Sequence, residues 1–213
     1  MGLTLVPPTG VNPPILEELL LPDFKADLRI DGTSEDALCV LMLAAARRYF
    51  EGRDGTLGRA FLTQTWDWTL DCWPGSTVGT QNWPYPYTPA YVATPLLVPL
   101  PPLQSVTSIK IRDSTGVVTT LDPSTYVVDI ISEPGRITST AGWWSQVTPG
   151  LLSPITIRFV AGYGTRIAQI PEPLRMALLA TAGEMYTNRD TGATTVPPWV
   201  ERLVASYRVL TAA

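Results

Sequence analysis

The hydrophobic period of this chain changes twice, and those changes limit what it can fold into. Between Ser34 and Phe50 the apolar residues Leu38, Leu41, Met42, Ala45 and Tyr49 recur at helical spacing. In LTQTWDWTLDCW (62–73) the period drops to two. Leu62, Trp66, Trp68, Leu70 and Cys72 share one parity, and Thr63, Thr65, Asp67, Thr69 and Asp71 share the other. From 171 to 190 the helical period returns, with Leu174, Ala177, Leu178, Thr181 and Met185 as its stripe. Neither long helix can bury its apolar face alone, so each is expected to bury it on the other. Leu38, Leu41, Met42 and Ala45 are expected to meet Leu174, Leu178 and Met185. The chain is therefore predicted to be α+β: a helical bundle of N-terminal and C-terminal helices with an inserted small antiparallel β-sheet domain.

Punctuation sets the boundaries. Residues 15–30 read as one or two short helices broken at Pro22. TSED (33–36) is a helix-start signature, with Thr33 or Ser34 as cap, and EGRDG (51–55) is a stop. Five or six short strands follow at about ten-residue spacing. They include Ile109 and Ile111 alternating with Lys110 and Arg112, then TYVVDII (125–131) and ITIRFVAGYG (155–164). AGYG (161–164) reads as a turn with positive φ. TGATTVPP (191–198) is a linker, and WVERLVASYRVL (199–210) is a short amphipathic helix with Trp199, Leu203 and Tyr207 at i, i+4 and i+8. The predicted division is 1–58 N-terminal helices, 59–168 β-rich insertion, 169–190 completing helix, and 191–213 linker and docking helix.

The chemistry of the chain excludes more than it suggests. Among 213 residues there is no histidine, which removes the usual general base and the commonest metal ligand. No phosphate-binding glycine loop and no CxxC spacing is present. Cys39 and Cys72 read as small buried hydrophobes. The acid pairs Asp67/Asp71 and Asp129/Glu133 could imitate a glycosidase dyad, but Asp67 and Asp71 share the wet face of one strand, where solvated polar residues belong. No catalytic residue, metal or cofactor is expected. A net charge of −4 argues against tight DNA binding, although Arg47, Arg48 and Arg53 are expected to form a local basic patch. Charged residues are only 16% of the chain, which fits either a surface covered by neighbouring subunits or a Thr/Ser-rich monomer. The N-terminus MGLTLVPPTG has no signal-peptide pattern, and no run approaches a membrane span, so a cytoplasm or a particle assembled there is expected. Trp83, Tyr85, Tyr87 and Tyr91 crowd a Pro-rich loop, and Trp143 and Trp144 lie in another. Loop aromatics of this kind anchor protein interfaces, pack locally or bind sugars.

The ordered series DGTSEDALCVLMLAAARRYFEGRDG, RAFLTQTWDWTLD, PLPPLQSVTSIKIRD, YVVDIISEPGRI, ITIRFVAGYG and IPEPLRMALLATAGEMY resembles the head–tail connector (adaptor) proteins of long-tailed phages and prophages. It covers most of residues 15–190. The resemblance implies a non-enzymatic virion protein at the capsid vertex, assembled in the host cytoplasm. It implies a ring, commonly of twelve subunits, under the portal protein, extending the DNA channel without specific DNA binding. It also implies a docking face for a stopper, tail-terminator or other tail protein, and a C-terminal segment reaching the portal through Trp199, Leu203 and Tyr207. A stopper or tail-completion ring and a carbohydrate-binding tail module are the competing readings.

Overall fold

The computed structural model describes residues 2–6, 16–73, 95–142, 144, 147, 150–189 and 196–209. It is a mixed α/β structure with two antiparallel sheets. The chain divides into two compact units. One comprises Met1–Pro7 and Gln64–Ala161, and the other Pro8–Thr63 and Gly162–Ala213.

The first unit holds the strands. β1 (Gly2–Leu5), β2 (Gln64–Leu70), β8 (Ile155–Ala161), β4 (Leu103–Arg112) and β5 (Val118–Thr120) form one sheet in that spatial order. β3 (Leu96–Leu97), β7 (Arg136–Ser139) and β6 (Tyr126–Asp129) form a second. β8 is central in the larger sheet, and its period is clean: Ile155, Ile157, Phe159 and Ala161 are buried and the residues between them are half-buried. Their cross-strand partners continue the apolar face, with Leu70 opposite Ile155, and Trp68 and Ile109 both opposite Ile157. β4 carries two register irregularities, between Leu103 and Ser105 and between Val106 and Ser108. At β7, a Cβ on Gly135 would lie 2.5 Å from the Leu103 side chain, so only glycine fits there.

Two expectations for this region change. The strand predicted for 62–73 spans only Gln64–Leu70, so Cys72 falls beyond the ladder and is exposed, whereas Cys39 is buried as expected. β1 pairs with β2 from the N-terminus, Gly2 opposite Thr69 through Leu5 opposite Trp66. Its four residues are too few to show a period, and their partner lies more than sixty residues away.

The second unit holds the helices α1 (Leu16–Leu28), α2 (Asp36–Phe50), α3 (Glu172–Thr187) and α4 (Pro198–Val204). α1 runs through Pro22 instead of breaking there. One lost backbone hydrogen bond is offset by burying Leu16, Leu20 and Phe24 on either side of it. α2 begins at Asp36, and no side chain caps it. Its buried stripe is Cys39, Leu43, Ala46 and Phe50, spaced i, i+4, i+7 and i+11. This corrects the predicted stripe: Leu41 is 65% exposed and Ala45 is also exposed. On α3 the predicted Leu174, Ala177, Leu178 and Thr181 are buried, joined by Ala182 and Gly183, and Met185 is half-buried. Leu174, Ala177, Leu178 and Ala182, with the buried apolar residues of α1 and α2 and with Leu57, Phe61, Val200 and Val204, make one hydrophobic core. At the predicted AGYG turn, Gly162 and Gly164 have φ of 125° and 152°. A Cβ on Gly162 would come within 2.2 Å of the Leu62 carbonyl oxygen.

Candidate functional site

Three places carry enough chemistry or exposed apolar surface to be considered. The first is the polar face of the larger sheet. Register sets Asp67 opposite Arg158, and Lys110 opposite both Thr156 and Thr120. Asp67 takes two hydrogen bonds from Arg158, from Nε and a terminal nitrogen, each 2.7 Å. The bonds and charge of Asp67 push the Arg158 pKa up, so its guanidinium keeps its charge. Arg112 donates to the Leu152 carbonyl at 2.9 Å. Around them lies a cleft of about 300 Å³, lined by Asp67, Ser108, Lys110, Arg112, Thr156 and Arg158 among others. It offers positive charge and hydroxyls. Its carboxylate is engaged by Arg158, and the chain has no histidine to act as a base there. The arrangement can hold an anionic group but assembles no nucleophile with a base.

Asp71 and Asp129 also have structural work. Asp71 accepts a hydrogen bond from the Ser153 amide at 2.8 Å, which lowers its pKa. Asp129 accepts from the Ser132 hydroxyl and from two guanidinium nitrogens of Arg136, as well as from the Ser132 and Ile131 amides. Those bonds hold its carboxyl far below the usual range. Among the described residues no group of three or more His, Cys, Asp or Glu is placed to hold a metal, and no helix is long and apolar enough to cross a membrane.

The second place is the C-terminal segment. Val200 and Val204 face the core, at 0% and 3% exposure. Trp199, predicted to lead the apolar stripe, is 49% exposed; Leu203 and Tyr207 are half-buried. The helix is also shorter than 199–210, because α4 ends at Val204 and a 3-10 turn, Ala205–Tyr207, follows. Backbone bonds tie the segment down. Arg59 donates to the Tyr207 carbonyl and, at 3.1 Å, to the Tyr163 hydroxyl. The Val209 amide donates to the Leu57 carbonyl at 3.0 Å.

The third place is the end of α2. The predicted patch of Arg47, Arg48 and Arg53 loses its first member. Arg47 is bonded to the buried carboxylates of Glu17 and Glu51, both Glu17 contacts at 3.2 Å. Burial works against the Arg47 cation, and the two carboxylates more than offset it, so its pKa is raised. Glu51 also accepts the Phe61 amide at 2.6 Å. Arg48 and Arg53 remain exposed.

Of the loop aromatics, Trp83, Tyr85, Tyr87, Tyr91 and Trp143 lie outside the described residues. Trp144 stacks on Trp73, their ring centroids 4.4 Å apart and their planes 10° from parallel. Trp73 is buried, so at least one face of Trp144 is used in packing. The cleft was not legible in the sequence. Lys110, Arg112 and Arg158 each occupy an ordinary polar strand position, and only strand register gathers them.

No protein-family model matches the chain. No curated protein matches it either. Solved structures do. The fold is similar to a chain in the neck of an empty gene transfer agent (GTA) particle computed with C6 symmetry, with a TM-score of 0.73 and 23% identity. That likeness covers 100% of this chain and 98% of the other. A chain of the virion of the native GTA particle matches with the same figures. A chain in the neck of the native particle computed with C12 symmetry matches at a TM-score of 0.71 and 22% identity, over the same share of each chain. The likeness establishes a shared fold along the whole chain.

Proposed function

We propose that this protein is a structural component of the neck of a tailed phage or phage-like particle, working as a head–tail connector of the adaptor type. The observation that carries the reading is the fold likeness to neck chains, which spans 100% of this chain and 98% of theirs. In this reading twelve copies form a ring under the portal protein. The ring extends the DNA channel and presents a docking face to a stopper, tail terminator or other tail protein. The six- and twelvefold symmetries of the similar necks support a closed ring. The engagement of Asp67, the carboxylate of the polar cleft, by Arg158 fits a protein without turnover. A net charge of −4 suits a channel wall that must let DNA slide. The portal-facing role falls to the C-terminal segment through Trp199, Leu203 and Tyr207, of which Trp199 presents the most exposed aromatic surface.

Electron microscopy of the purified protein, alone and mixed with portal, tests the proposal. Rings that stack coaxially on portal are expected. A protein that stays monomeric under both conditions, or that binds glycans with quenched tryptophan fluorescence, would overturn it.

A further inference from the structure

α2 is apolar on both sides. One side, Cys39, Leu43, Ala46 and Phe50, is sealed in the core. The other, Ala37, Leu41 and Ala45, recurs at i, i+4 and i+8 and is open to solvent, with Leu41 65% exposed. A helix that is apolar all round normally has both faces covered. Arg48 continues the open stripe one turn further, and Arg53 follows just past the helix end. Both are exposed, and neither makes an ion pair or hydrogen bond among the described residues. They are the free remainder of the arginine cluster, since Arg47 is consumed by Glu17 and Glu51.

α1 carries the counterpart. Its outward positions Glu18, Pro22 and Ala26 are again spaced i, i+4 and i+8, with Asp23 and Asp27 one step round. All five are exposed. None of the three carboxylates has a partner among the described residues. Two small apolar positions, flanked by free acids, match a leucine ridge that ends in free arginines.

We propose that the open face of α2 is an interaction surface between copies of this chain, seating Leu41 on Pro22 and Ala26 of α1 in a neighbouring copy, with Arg48 and Arg53 against its Glu18, Asp23 and Asp27. This rests on the ring reading above and assigns it a surface. The two faces differ, so the contact is heterologous: every copy offers one of each, and repetition closes a ring.

Charge reversal tests it. Arg48→Glu with Arg53→Glu makes both faces acidic, and Asp23→Lys with Asp27→Lys leaves the α2 face basic and turns α1 basic. All four positions are exposed, and circular dichroism checks that each variant folds. Sedimentation velocity should show self-association weakened more than about tenfold in each variant alone, because like charges then meet across the contact. Mixing the two variants should restore large assemblies, since acidic and basic subunits can alternate. Raising salt should weaken the wild-type assembly. If both variants assemble like the wild type, or if mixing fails to restore assembly, this surface is wrong while the ring reading stands. A wild-type protein that never self-associates, even with portal present, would overturn both.

Discussion

Leu41 and Leu43 lie two residues apart on α2 and should respond to substitution in opposite ways. Leu43 is 1% exposed within the helical core, so Leu43→Ala is expected to cost ~2–5 kcal/mol in urea unfolding. Leu41→Ala removes a solvated side chain from the isolated subunit and should change stability by less than ~0.5 kcal/mol. Equal costs would mean that the buried face of α2 is misassigned. Asp129 allows a test by pH. Its carboxyl is held far below the ordinary range by the Ser132 hydroxyl first, then Arg136 and two backbone amides. A depressed native pKa stabilises the fold fully above the unfolded value of about 4, and that stabilisation fades as acid protonates the folded group. Asp129→Asn should therefore melt at a lower temperature than wild type at neutral pH. The gap should hold down to about pH 4 and narrow only below it. A gap that narrows between pH 8 and 5 would point to another titrating group.

In the C-terminal segment the helical period alone leaves the buried side open. Among its apolar positions, Trp199, Val200, Leu203, Val204 and Tyr207 support two overlapping stripes, one through Trp199 and Leu203 and one through Val200 and Val204. Both have helical spacing, so periodicity cannot rank them. Packing does, because Val200 and Val204 fit the core beside α3 and Trp199 is left half in water. A chain truncated after Thr191 should therefore unfold more readily than the full chain, not keep its stability. Val200→Ala should cost ~1–3 kcal/mol, and Trp199→Ala much less. Urea titrations of the three variants check this, and unchanged midpoints for the truncated chain and Val200→Ala would show that the segment is not part of the core. Trp199→Ala with native stability and weakened co-sedimentation with portal rings is the expected signature of a docking residue.

At the scale of the whole molecule the balance of charge governs contact with DNA. The chain carries 15 basic and 19 acidic residues, and several of the bases are already engaged. Arg47 is paired within the helical unit, and Arg136 and Arg158 are paired within the sheet unit. Lys110 and Arg112 add a local positive cleft, too small to neutralise a run of phosphates. Duplex DNA should bind weakly and without sequence preference at physiological salt. Gel shifts showing submicromolar, sequence-selective binding would contradict the proposed role as a channel wall that lets DNA pass.

The type and order of the long elements were legible in the sequence because period is a local property. ITIRFVAGYG read as a strand, and the stripe of α3 was readable from Leu174 to Thr181. The lack of histidine likewise narrows the chemistry from the sequence alone. Other features depended on contacts between residues far apart in the chain. α2 and α4 are each apolar on more than one side, so their own patterns left the buried side open, and the partner surface decided it. Arg47 reads like Arg48 in sequence, yet Glu17, thirty residues earlier, draws one of them inward. β1 exists as a strand because β2 offers it an edge. Asp67, Lys110 and Arg158 share a cleft through strand register, since pairing distant segments is a tertiary choice that no local period encodes.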